Sequence, residues 1–90
     1  FIMNKYLAEF LAATFFIYII LLTGNAFTVG AALAIAVFVT AKISGGHINP
    51  AVSLVMTLAG KLPVSELLPY VIAQVAGGVT ALLAFRFIKL

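Results

Sequence analysis

Apolar positions dominate this chain, and a few polar interruptions set its organisation. From Phe10 to Ala41 there is no charged residue. That run is too long for one bilayer crossing, which takes about 20 helical residues. Thr23-Gly24-Asn25 divides it, predicting a first helix over about 5–23 and a second over about 28–43. Next comes Ser44-Gly45-Gly46-His47-Ile48-Asn49-Pro50-Ala51-Val52-Ser53, a polar, glycine-rich stretch between apolar runs. The residues after it are apolar enough for a membrane but too few to cross one. A helix from Pro50 to Ala59 is roughly 15 Å long, against a hydrocarbon core of about 30 Å. The pattern therefore predicts a re-entrant loop and half-helix over about 44–59, ending near mid-membrane. Gly60 stops it, Pro63 prevents continuation, and Ser65 is a candidate cap. A last helix follows over about 66–88, with Glu66 and Pro69 in its first turn. The fold class is an all-α membrane protein of three transmembrane helices plus one re-entrant half-helix, in a single unit.

Asn49 and Pro50 mark the start of the half-helix. Asn is a favoured N-cap, and Pro fits the first helical position, where no N–H is needed. The free N–H groups and the positive dipole end then point into the membrane. Non-helical backbone at that depth is tolerated when it is buried in protein or lines a wet cavity. Ser44 to Asn49 are thus expected along a water-accessible path, Asn49 presenting an amide donor. Gly45 and Gly46 let the chain turn and expose carbonyls.

Composition narrows the function classes. With 66% hydrophobic and 8% charged residues the chain is no soluble domain. The formal charge of +3 is scattered and does not suggest nucleic-acid binding. There is no cysteine, and one His with two acidic residues offers little for a metal site or carboxylate pair. The first segment lacks a signal-peptide cleavage pattern. With the N-terminus cytoplasmic, Lys5, Lys42 and Lys61 fall at that face and Arg86 and Lys89 at the other, a weak orientation bias.

The string from Ile43 to Ser53 resembles the first signature loop of the aquaporin and glycerol-facilitator family, whose hallmark is Asn-Pro-Ala. Ala8-Glu9-Phe10-Leu11 resembles the start of the family's first helix. Tyr70-Val71-Ile72-Ala73-Gln74, followed by Gly77, resembles its third. The likeness covers nearly the whole chain and corresponds to the first half of a family member, one repeat with a single Asn-Pro-Ala. It implies a pore lined by Asn49, Pro50, Ala51, Gly45, Gly46, His47 and Val29. In the family the amide matched by Asn49 donates to the passing oxygen, and opposed half-helices disfavour cations. Glu9, about one turn into an apolar helix, reads from sequence as a functional, paired or snorkelling carboxylate. The resemblance makes it a brace for the signature loop, with Gln74 as a second brace. His47 has three readings: pore-facing donor, metal ligand, or loop packing, which the resemblance favours. Val29 stands where many relatives place a bulky aromatic filter residue, which implies a wider constriction. The linker between the first two helices is shorter than the family's usual one, and Lys42 replaces a histidine common in relatives.

These readings predict a passive channel for water and small neutral solutes such as glycerol, and not an enzyme. Its pore would be completed by a second half-repeat, from the same longer chain or another chain. The expected surroundings are a lipid bilayer and a homo-oligomer, a tetramer of pores by resemblance, with no cofactor. The alternative is a non-conducting structural subunit of a larger membrane assembly. An ion-coupled transporter lacks a coupling carboxylate unless Glu9 faces the cavity. Ala8/Ala12, Gly30/Ala34 and Ala73/Gly77/Ala81 are small-residue repeats that permit close helix crossings.

Overall fold

The computed structural model describes residues 3–88, and among them the chain is all helical. Four helices follow one another: α1 (Lys5–Leu22), α2 (Ala26–Thr40), α3 (Pro50–Leu58) and α4 (Val64–Ile88). Lys89, expected with Arg86 at one interface, lies outside the described residues.

Side-chain caps fix where the helices begin. Asn4 Oδ1 accepts from Leu7 N at 2.8 Å and starts α1. Asn25 does the same for α2, accepting from Thr28 N at 3.0 Å. This residue, expected as a breaker alone, is a cap, so α2 begins at Ala26 rather than near 28. Regular helix ends at Thr40 rather than 43, but helical hydrogen bonds run on from Ser44 N to Thr40 O and from Gly45 N to Ala41 O. Helix α2 has 15 residues, about 22 Å, shorter than the ~30 Å hydrocarbon core. Continued to Ser44 it reaches about 28 Å. Helices α1 and α4 are by themselves long and apolar enough to cross.

Two expectations for α4 change. It starts at Val64, because the Pro63 carbonyl accepts Glu66 N at 2.9 Å. Ser65 is therefore inside the helix rather than its cap. Pro69 falls in the second turn, where it leaves the Ser65 carbonyl without its helical donor. Between α3 and α4, Gly60 adopts φ 77°. Gly60 N reaches Thr57 O at 3.0 Å and Lys61 N reaches Met56 O at 2.8 Å, the paired bonds of a Schellman stop.

Helix α1 packs on both α4 and α2, and α3 packs on α4. Helices α1 and α4 run parallel. Lys5 pairs with Glu66 at one end, Glu9 meets Gln74 further along, and Tyr18 stands edge-on to Phe85 towards the other. Small residues make this seam tight: a Cβ on Gly77 would lie 2.6 Å from the Phe10 carbonyl oxygen. Ala8, Ala12, Gly77 and Ala81 are buried, so two of the three small-residue repeats lie in packed faces. Gly30 and Ala34 are exposed, and nothing lies within 4 Å of a Cβ placed on Gly30.

The interior is the reverse of a soluble protein's. The largest fully buried side chains are Gln74, Glu9 and Ser53, while Phe27, Phe38, Leu58 and Phe87 stand exposed. A polar centre inside an apolar shell suits hydrocarbon surroundings, where polar groups turn inward and mark function.

Candidate functional site

The polar centre is built around one carboxylate. Glu9 is fully buried, and its two oxygens receive four donors. Oε1 accepts from Ile48 N at 2.7 Å and from Gln74 Nε2 at 2.9 Å. Oε2 accepts from Ser44 Oγ at 2.6 Å and from His47 N at 3.1 Å. These donors fill the acceptor sites of a carboxylate. The ion pair among the described residues is elsewhere, between Lys5 and Glu66. Hydrogen bonds rather than a counter-ion therefore offset the burial of this charged group, which is costly when unpaired. Glu9 faces no open cavity, the placement an ion-coupling carboxylate would need.

The loop reaches Glu9 through unusual backbone. Gly45 has φ 90° and Gly46 φ 64°, conformations that favour glycine. A Cβ on Gly46 would also lie 3.2 Å from the Val37 carbonyl oxygen, so α2 comes down onto the loop backbone. Ile48 has φ 67°, a rare conformation for a β-branched residue, stored at about 1–3 kcal/mol. Two contacts hold it there. Its N–H is taken by Glu9, and its side chain is buried with Ala12, Ala13 and Ala36 against Phe16. One polar pin and one apolar pin thus fasten adjacent loop residues.

Of the three readings of His47, pore-facing donor, metal ligand and loop packing, its side chain has the surroundings of the last. It is buried, with Nδ1 at 2.8 Å from Ser53 Oγ and its ring centroid 5.1 Å from that of Tyr70. Size and polarity fit it between α3 and α4. Tyr70 adds a second lock, its hydroxyl donating to the Ser44 carbonyl at 2.7 Å. Gln74 Nε2 also donates to Ser53 Oγ at 2.9 Å, while Gln74 Oε1 has no partner. Loop, α1, α3 and α4 therefore share one hydrogen-bonded network.

Asn49 lies outside this network. Its side chain is exposed, and Oδ1 caps α3 by accepting from Ala51 N at 2.7 Å. Nδ2 makes no hydrogen bond to the described residues and is available to a ligand. Pro50 is half-buried and Ala51 exposed beside it. Val29 is not brought to the loop. It sits in the first turn of α2, about 16 Å along the helix from Thr40, where the loop departs. Among the described residues no group of three His, Cys, Asp or Glu side chains could hold a metal.

Three site residues escape a reading of the loop alone: Ser44, Ser53 and Tyr70. A helical signal existed for one of them. Tyr70, Gln74, Gly77 and Ala81 fall on one face of α4, and all four are buried. The serines flank the loop, and sequence gives no sign of their distant partners.

Comparison with known proteins follows this geometry. The family model for the major intrinsic protein matches residues 1–89. Aquaporin Z of Brucella melitensis is 47% identical over 58 residues, covering 64% of this chain and 25% of that protein. The glycerol uptake facilitator protein of Streptococcus pneumoniae is 52% identical over 48 residues, 53% of this chain and 20% of its own. Glycerol uptake facilitator protein-like 6 of Lactiplantibacillus plantarum is 33% identical over 93 aligned positions, covering 93% and 43% respectively. The chain spans less than half the length of each of these relatives. No solved structure matches the chain significantly.

Proposed function

We propose, for a chain that belongs to the major intrinsic protein family and is an integral membrane segment, that it forms one half of a passive channel for water and small neutral solutes. The carrying observation is the Asn49 amide. It sits exposed at the N-terminus of a half-helix, its oxygen used by the cap and its Nδ2 free. A free donor at a positive helix end offers a hydrogen bond to a neutral oxygen and repels a cation. No bond is made or broken, so the activity is transport rather than catalysis.

A second half-repeat, from the same longer chain or another chain, completes the pore on this reading. The exposed sides of α2 and α3 are available to it: Ile35, Val39, Val52 and Val55 are uncovered. Relatives named for glycerol uptake favour small polyols beside water as permeants. Val29, smaller than an aromatic, fits that choice if it reaches the constriction of the completed pore, and a homo-oligomer of such pores fits the bare Gly30/Ala34 face.

Stopped-flow light scattering of proteoliposomes carrying the full chain tests the reading. Asn49→Asp keeps the capping oxygen and removes the free donor. Rapid osmotic shrinkage by wild type, reduced about tenfold or more in a folded variant, is expected. Wild-type permeability equal to that of empty liposomes, in inserted and folded protein, refutes the channel.

A further inference from the structure

Ser53 is fully buried one helical turn after Asn49. Its backbone N–H bonds the Asn49 carbonyl at 3.1 Å. Its hydroxyl touches two elements outside α3: Gln74 Nε2 on α4 at 2.9 Å and His47 Nδ1 in the loop at 2.8 Å. A half-helix of 9 residues packs on α4, and besides the pinned loop before it the Ser53 hydroxyl ties its rotation to that helix. A rotation would swing the Asn49 amide, because cap and helix turn together. We propose that Ser53 is a positioning residue, whose hydroxyl locks the rotation of α3 and so aims the free Asn49 Nδ2 at the permeant.

The hydrogen count gives the lock a direction. Gln74 Nε2 can donate only, so Ser53 Oγ accepts there. The Ser53 hydroxyl keeps a second lone pair and one hydrogen for His47 Nδ1, the tautomer setting which of the two donates, and the ring is seated against Tyr70. Gln74 in turn is oriented by Glu9, which accepts from the same Nε2. The aim of Asn49 is referred through Ser53 to α4 and α1, the two long helices, rather than to the loop alone.

The inference rests on the channel reading for what Asn49 does, but not for where its amide points. Magic-angle-spinning NMR of the full protein in bilayers reads how firmly that direction is held, through the order parameter of the Asn49 side-chain amide. Ser53→Ala is expected to lower it by roughly a third from wild type, and Ser53→Thr, which keeps the hydroxyl, to bring it back near wild type. The His47 Nδ1 nitrogen shift should change in Ser53→Ala, where its serine partner is lost. Water permeability per folded channel should fall several-fold in Ser53→Ala and recover in Ser53→Thr. Should the alanine variant not fold, Ser53→Cys keeps the shape with a weaker donor and carries the same comparison. Unchanged Asn49 order in a folded variant, or a lower folded fraction with unchanged permeability per channel, overturns the proposal. A wild-type protein that conducts nothing refutes the channel reading instead, while the amide order still decides the role of Ser53.

Discussion

Replacing Glu9 by glutamine is the sharpest probe of how the loop is held. The change is nearly isosteric, so packing is preserved and the hydrogen bonds alone are altered. An amide has one acceptor oxygen and a donor group where the carboxylate has two acceptors. If the new NH₂ takes the Oε1 place, the Gln74 amide can flip to offer its unpartnered Oε1, and one backbone donor, Ile48 N–H, is left without a partner. If it takes the Oε2 place, the Ser44 hydroxyl can rotate to accept, and one backbone donor, His47 N–H, is left without a partner. Either arrangement leaves one buried backbone donor unsatisfied, at about 1–3 kcal/mol, and weakens the remaining bonds from charge-assisted to neutral. The membrane reference state softens such losses, since polar interhelical bonds there average about 0.6 kcal/mol. A net loss of about 2–4 kcal/mol in loop docking is expected, and Ile48 strain works in the same direction. Hydrogen exchange in bilayers is the direct assay. At 1.4 kcal/mol per tenfold, the His47 and Ile48 amides should exchange about 30- to 1,000-fold faster, while amides in the middle of α1 change little. Exchange at both positions within about threefold of wild type would show that Glu9 does not hold the loop.

Other substitutions separate the remaining contacts. Gly77→Val puts side-chain atoms where even a Cβ lies 2.6 Å from the Phe10 carbonyl oxygen, so α1 and α4 must part; a loss of about 1–3 kcal/mol or more is expected in detergent unfolding. Ile48→Ala removes the apolar pin and keeps the strained backbone; about 2–4 kcal/mol less stability is expected by the same measurement, with Ile48→Gly milder because it relieves the positive φ. Tyr70→Phe deletes the donor to the Ser44 carbonyl while keeping the ring beside His47, and should cost about 1 kcal/mol, read as faster exchange in the 44–48 loop. Asn49→Ala should lose both the cap, about 0.5–2 kcal/mol, and the free donor, whereas Asn49→Asp should lose permeability with α3 still capped.

Much of the fold was legible because the signals are local. Asn49 before Pro50, Gly60 after a short apolar run, and charge confined to the ends of long apolar stretches all specify elements within a few residues. The misread boundaries are also local but depend on which of two neighbours caps first. Asn25 captures Thr28 N, which extends α2 at its start, and Pro63 supplies a carbonyl that starts α4 ahead of Ser65. The site was less legible, because its bonds join residues 21 to 65 positions apart. Glu9 and Gln74 stood out as polar residues in apolar helices. Ser44 and Ser53 did not, since a serine beside a glycine-rich loop is ordinary until its partner on another helix is known. His47 left three readings open in sequence, with loop packing the one the resemblance favours, and its side chain lies against Ser53 and Tyr70.

The choice of a carboxylate at position 9 follows from what the loop must present. Two consecutive backbone N–H groups, those of His47 and Ile48, reach the same carboxylate, one to each oxygen. A neutral acceptor with one oxygen cannot receive both together with Ser44 and Gln74. A carboxylate can, and its charge strengthens each bond roughly twofold relative to a neutral pair. The strained φ at Ile48 and the buried charge at Glu9 are each unfavourable alone. Together they close one unit, since the carboxylate takes the Ile48 N–H and the buried Ile48 side chain keeps the strained residue in place. That unit consumes the loop's inward-facing donors and leaves Asn49 Nδ2 facing outward. Holding the loop and freeing the amide are thus two results of the same arrangement. On the proposed channel reading, a change at Glu9 is therefore expected to alter permeation through the placement of Asn49, measured as water permeability of Glu9→Gln beside wild type.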